Sequence, residues 1–263
     1  VDELIVKNDF INLKPYLPDL DEKINFKNHK IIINYNKNKI DIKGDGKILI
    51  KNKYDFIHYQ ISKNNNKFIF DTKINLKNSK LLIDFLNYEK KENLDALILI
   101  KGNIKNNKKI NFDLVSLVEN NNKISFKNLN LHKDFKIISL DGFNFNYLNN
   151  KKIKNQLLLK KNNLNYMIEG KSFDATKLIN KIMDSNDESS SLFSNLNSKI
   201  NIKIKKTFID EVYFTNNLSG VLSFKNNKID NLDLKSIFPN NKKINLLITT
   251  NDLQEKITRL FTD

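Results

Sequence analysis

Phe68-Ile69-Phe70-Asp71-Thr72-Lys73-Ile74-Asn75-Leu76-Lys77 sets Phe68, Phe70, Thr72, Ile74 and Leu76 on one side of an extended chain and Asp71, Lys73, Asn75 and Lys77 on the other. A period of two is the signature of a strand with one wet and one dry face. The same period returns on both sides of it. Ala96, Ile98 and Ile100 alternate with Leu97 and Leu99 in a more fully apolar run, Ile110, Phe112 and Leu114 alternate with Asn111 and Asp113, and Phe143, Phe145 and Tyr147 alternate with Asn144 and Asn146. Between Ile124, Phe126 and Leu129, Leu131 the phase slips by one residue, which predicts a β-bulge. Asn64-Asn65-Asn66, Asn106-Asn107, Asn120-Asn121-Asn122-Lys123, Asn162-Asn163 and Asn226-Asn227 supply turns, because Asn tolerates the left-handed backbone that Gly usually provides. Gly44-Asp45-Gly46 reads as one more turn, with no helix pattern behind it that could make a phosphate cradle. The expected fold is mainly β, a long antiparallel meander curled into an open apolar groove, with one or two short amphipathic helices.

Composition agrees. With 263 residues the chain is long enough for one large all-β unit or two smaller ones, and 40% hydrophobic residues with 18 Phe are too many for disorder. Six Gly and three Pro are too few for a linker-rich chain, and the lack of Cys removes disulfides, thiolate nucleophiles and Cys-based metal sites. The formal net charge of +15 points towards a polyanion, yet Arg259 is the single arginine, whereas base readout and bidentate phosphate clamping lean on Arg. Lys, Ile and Asn are over-used together, with Asn at about one residue in six, so much of the charge reads as solvated strand faces and nucleic acid as an improbable partner.

Two segments depart from the strand pattern. Behind Asp174, a suitable N-cap, Ala175, Leu178, Ile179, Ile182 and Met183 form one helical stripe, followed by the polar stretch 184–191. At the far end Leu253, Ile257, Leu260 and Phe261 make a second stripe, which predicts the start of a C-terminal helix. The chain opens on Val1 rather than Met and stops within that pattern, and so reads as a segment of a longer protein; no run of about 18 apolar residues occurs within it.

Ile168-Glu169-Gly170-Lys171-Ser172-Phe173-Asp174-Ala175-Thr176-Lys177-Leu178-Ile179 resembles the G-x-S-F-D-x-x-x-L-L element of the AsmA-like proteins of Gram-negative bacteria, in particular their YhdP-like branch, with Gly170, Ser172, Phe173, Asp174 and Leu178 at the motif positions. Ile248-Thr249-Thr250-Asn251-Asp252-Leu253 is similar to the strand-to-helix step of that family, S-D-D-A-G, with Leu253 in place of Ala and no Gly after it. The resemblance covers roughly residues 90 to 263. It implies a periplasmic segment of a lipid-transfer bridge anchored in the inner membrane by parts outside this chain, with phospholipid as the cargo, other envelope proteins as partners and no cofactor. It divides the chain into strands 1–90, hairpins 91–183 ending in the motif helix, the loop 184–191, and further hairpins with a helix start over 192–263. Phe112, Leu114, Ile124, Phe126, Phe143 and Phe145 are the expected groove lining. The competing reading is an interaction or structural domain with a closed core, adhesin-like or basic and nucleic-acid-binding, since any β-sandwich also needs one apolar face per strand.

Catalytic and metal chemistry find little support in the sequence. His29, His58 and His132 stand far apart and outside any His-x-x-x-His spacing, Asp210-Glu211 has no nucleophile or base beside it, and Ser172 lacks the Gly-x-Ser-x-Gly elbow. The chain is expected not to be an enzyme.

Overall fold

The structure is a computed structural model that describes residues 1–7, 23–50, 52–105, 109–132, 136–177, 179, 197–210, 212–251 and 256–263. Leu178, the stripe residues Ile182 and Met183, the stretch 184–191, the turn Asn106-Asn107, Glu211, Asp252 and Leu253 lie outside the described residues. The chain divides into two compact units, Val1–Leu140 and Asp141–Asp263.

The first unit contains β1 (Glu3–Lys7), β2 (Lys23–Asn36), β3 (Lys39–Ile50), β4 (Lys53–Asn64), β5 (Lys67–Leu76), the short β6 (Leu81–Ile83) and β7 (Tyr88–Lys90), then β8 (Ala96–Lys105), β9 (Lys109–Glu119), β10 (Asn122–His132) and β11 (Ile137–Ser139). All but β6 and β7 belong to one sheet, in which each strand pairs antiparallel with the next. The sheet runs without a break across position 90, because β5 pairs directly with β8. The intervening excursion, 77–95, carries the β6–β7 ribbon and a 3-10 turn at Asp84–Leu86.

The second unit is β12 (Gly142–Leu148), β13 (Lys154–Asn162), β14 (Asn165–Asp174), β15 (Ser198–Phe208), β16 (Phe214–Lys225), β17 (Lys228–Ile237), β18 (Lys243–Thr250) and β19 (Lys256–Thr262). Neighbours pair in sequence order and antiparallel, with one exception: β14 and β15 run parallel. A parallel pair cannot be closed by a tight hairpin, so the chain must cross over between Asp174 and Ser198. The helical stripe of the sequence falls in that crossover, and Thr176, Lys177 and Ile179 are indeed helical. Asp174 caps this start: its Oδ1 accepts the backbone N–H of Thr176 at 3.1 Å and the Thr176 hydroxyl at 2.6 Å.

Among the described residues the fold is therefore mainly β, an almost wholly antiparallel meander that does not close, with very little helix. The expected C-terminal helix start is corrected by β19, where Ile257, Leu260 and Phe261 lie on a strand paired with β18. Along β19 the chain gains ladder hydrogen bonds from β18, which an isolated helix of that length could not match. Gly44 and Gly46 are corrected as well, since both lie inside β3 rather than in a turn.

Asparagine explains the scarcity of glycine. Asn28, Asn65, Asn87, Asn93, Asn120, Asn128, Asn163, Asn217, Asn226, Asn227 and Asn241 all hold a positive φ, the left-handed region that most side chains avoid. The turns expected at Asn65, Asn120, Asn163 and Asn226-Asn227 are among them. Asn128, with φ 49°, sits in the phase slip between Phe126 and Leu129, but the register of β10 on β9 is the same on both sides of it, and the register shift of this region lies between β8 and β9.

Candidate functional site

Register shows which residues share a face, because directly opposed residues project to the same side of a sheet. In the first unit one cross-strand row runs Gly46, Ile57, Ile74, Ile98, Leu117, Ile124 from β3 to β10. A second runs Ile33, Ile42, Ile61, Phe70, Gly102, Phe112, Leu129 from β2 to β10. Phe126, opposite Val115, stands on the same side. This face is apolar over seven strands, and its members Ile57, Leu117 and Ile124 are buried.

In the second unit one row crosses all eight strands: Phe143, Leu159, Ile168, Ile202, Gly220, Leu234, Leu246, Leu260. Inner members such as Ile202 and Leu234 are half-buried, whereas Leu260 on the last strand is 62% exposed. Phe143 and Phe145 stack 4.2 Å apart with their rings 11° from parallel, and Phe145 also meets Tyr147 edge-on at 6.3 Å.

Of the six expected lining residues, Phe112, Ile124 and Phe126 share the apolar face of the first unit, and Phe143 and Phe145 share that of the second. Leu114 does not belong with them. The register between β8 and β9 shifts after Lys101, so that Phe112 opposes Gly102 while Leu114 opposes Lys101 and, on its other side, Lys127. The bulge that keeps Phe112 and Val115 on the dry side turns Leu114 to the polar side.

The motif residues hold the β13–β14–crossover corner. Gly170 lies where a Cβ would run into Leu157 Cδ2 and meet the Gln156 carbonyl oxygen at 2.6 Å. The Ser172 hydroxyl donates to the Lys154 carbonyl, and Phe173 is buried. Asn149 donates from Nδ2 to Asp174 Oδ2 at 2.7 Å, and the Asp174 N–H donates to Asn155 Oδ1 at 2.8 Å. These contacts are those of a structural corner, and Leu178 lies outside the described residues.

Two features escaped the sequence reading. First, large side chains lie over glycines of the apolar face: a Cβ on Gly44 would strike the Tyr59 ring, and one on Gly46 the His29 ring. His29 thus lies against the sheet, stacked on Tyr59 with 5.9 Å between centroids and its Nε2 3.0 Å from the Lys47 carbonyl. Second, the excursion 77–95 covers one end of the first unit. Tyr88, 1% exposed, donates its hydroxyl to Glu119 at the end of β9, and the Lys90 ammonium donates to the carbonyls of Lys77 at 2.9 Å and Ser79 at 2.7 Å. Burial lowers the Lys90 pKa, while the charges of Asp55 and Glu119 oppose that shift. Burial raises the Tyr88 pKa, helped by the Glu119 carboxylate.

Among the described residues no three His, Asp or Glu side chains converge as a metal site would require. His58 and His132 lie within β4 and β10, and Asp210 serves a turn, with Oδ1 accepting the N–H groups of Val212 at 2.7 Å and Tyr213 at 2.6 Å. No helix among the described residues is long and apolar enough to cross a membrane. Comparison with known proteins yields no match to a family model, to a curated protein or to a solved structure.

Proposed function

We propose that this chain is a lipid-holding segment of an envelope bridge, in which the apolar sheet face of each unit shields the acyl chains of phospholipids passing between the inner and outer membranes. The observation that carries the proposal is the apolar row from Phe143 to Leu260, eight strands wide, whose last member Leu260 is 62% exposed. An extended apolar face on a single sheet is an interaction surface by default, since water contact over such an area is unfavourable.

An acyl chain suits it. Each buried CH₂ contributes about 0.8 kcal/mol, the attraction has no direction, and neighbouring positions along a uniform strip are nearly equal in energy. A tail could therefore slide from one strand to the next without a deep trap, which is what transfer requires and what catalysis does not. The resemblance of residues 168–179 to AsmA-like proteins supports the same reading and suggests the periplasm as the location, with a membrane anchor outside this chain.

The test is native mass spectrometry with lipid extraction on the protein purified gently from a Gram-negative periplasm. Bound phospholipid that is lost on Phe126→Asp and Ile202→Asp, with circular dichroism still β-rich, would support the groove. A lipid-free protein that those substitutions unfold would mean that the faces are closed core, as an interaction domain would have.

A further inference from the structure

The apolar face of the first unit carries two carboxylates at one end. Asp55 lies two residues before Ile57 on β4 and Glu119 two residues beyond Leu117 on β9, so both project to the apolar side, as does Leu76 two beyond Ile74 on β5. All three are buried. The excursion 77–95 folds over this side of the sheet and supplies their partners. Tyr88 reaches Glu119 with its hydroxyl, and the N–H groups of Lys77, Asn78 and Ser79 converge on Asp55. Lys90, 0% exposed, ties the far part of the excursion to its start through the carbonyls of Lys77 and Ser79.

Burial of the same face declines along the strands away from this end. In the first row beyond the carboxylates, Ile57, Leu117 and Ile124 are buried. The next row, Tyr59, Thr72, Ile100, Val115, Phe126, is half-buried throughout, and so are Ile61, Phe70 and Phe112 in the row after it. At the far end Phe68 and Ile104 stay half-buried on β5 and β8, whereas Ile110 and Leu131 on β9 and β10 are buried. A partly exposed apolar strip therefore runs along β5 and β8 and ends under the excursion. An acyl chain gains by covering Phe70 or Ile100, but beyond Ile74 it would have to separate Asp55 and Glu119 from their donors, and a buried carboxylate without a partner is costly.

We infer that the excursion 77–95 is an acyl-length stop, with Tyr88 at its floor, and that the first unit selects phospholipids by the length of their tails. The inference rests on the lipid reading above and adds a specificity to it. From Phe68 to Ile74 β5 advances about 20 Å, at about 3.3 Å per residue. An extended carbon chain advances about 1.3 Å per atom, so a tail lying along β5 with its methyl end against the excursion covers that length with about 16 carbons. The stop limits movement along the strands and leaves movement across them free, because the apolar rows run from strand to strand beside it.

The experiment offers the full chain, with Ile202→Asp to silence the second unit, vesicles of equimolar phosphatidylcholines whose tails run from about 14 to about 22 carbons, and reads the bound species by native mass spectrometry. In a bilayer every CH₂ is already out of water, so a tail that fits the strip is taken without loss, and each CH₂ left in water beyond about 16 carbons should lower the bound share about fourfold. Removing the floor with the pair Tyr88→Ala and Glu119→Ala, which takes away donor and acceptor together, should move the cutoff to longer tails. Ile98→Phe, which adds bulk just in front of the stop, should move it to shorter ones, with circular dichroism unchanged. Binding of all lengths alike, or a cutoff that neither variant moves, would overturn the stop and leave the lipid reading standing. Absence of every phosphatidylcholine would overturn both.

Discussion

The backbone N–H of Ser79 donates to Oδ2 of Asp55 across 2.8 Å, and both residues are buried. Oδ1 of the same carboxylate takes the N–H groups of Lys77 and Asn78, each at 2.8 Å. One side chain on β4 therefore fastens the start of the excursion 77–95, and the Lys90 ammonium fastens its end to the same stretch through the carbonyls of Lys77 and Ser79. Charge-assisted hydrogen bonds of this kind are stronger than neutral ones, and removal leaves donors without partners. Asp55→Ala should cost about 3 kcal/mol in denaturant unfolding. Amide exchange at Asn78 and Ser79 should accelerate more than at Ile61 or Phe70 in the same sheet.

The pH dependence follows from the same carboxylate. Burial pushes the Asp55 pKa up, but the hydrogen bonds from Ser79, Asn78 and Lys77 outweigh it and hold the group below its ordinary value of 3.8. A group with a depressed folded-state pKa contributes stability that is present above its unfolded value and lost as the pH falls through the folded value. Stability should therefore drop as the pH is lowered below 3.8, and Asp55→Asn should flatten that part of the curve. Urea midpoints measured at a series of acidic pH values check both expectations.

Two glycines should respond differently to the same substitution. Gly220 has φ +153°, and a Cβ there would overlap the Asp233 carbonyl oxygen and lie 2.9 Å from the Leu234 Cα, both backbone atoms of the next strand. Gly220→Ala should cost about 3 kcal/mol or more, because a ladder partner must move. A Cβ on Gly44 meets only the ring of Tyr59, which can swing away, so Gly44→Ala should cost about 1 kcal/mol. Thermal melts of the two variants should separate clearly.

The strands were legible because an apolar residue at every second position fits a half-buried strand and little else, and the left-handed Asn128 was signalled by the break in that period within one strand. The polarity of β14 and β15 was not, since nothing local to Ile168 or Ile202 records the direction of a neighbour. At the C-terminus the spacing of Leu253, Ile257, Leu260 and Phe261 fits a helix, and the backbone partners offered by β18 decide for a strand. Gly44 and Gly46 look like turn residues until Tyr59 and His29, distant in sequence, are seen lying over them.

Phe112 and Leu114 give the most direct test of the groove. They are two residues apart on one strand, and the register shift after Lys101 sets them on opposite sides of the sheet. Leu114→Glu places a carboxylate between Lys101 and Lys127 and should change stability by no more than about 1 kcal/mol. Phe112→Glu places the same charge on the dry face. The deciding measurement is equilibrium binding of a pyrene-labelled phospholipid to the wild type and these two variants, with circular dichroism as the control for folding. The account predicts that wild type and Leu114→Glu bind alike and that Phe112→Glu, still β-rich, loses binding by tenfold or more, about 1.4 kcal/mol. Equal binding by all three, or no binding by the wild type, would contradict it.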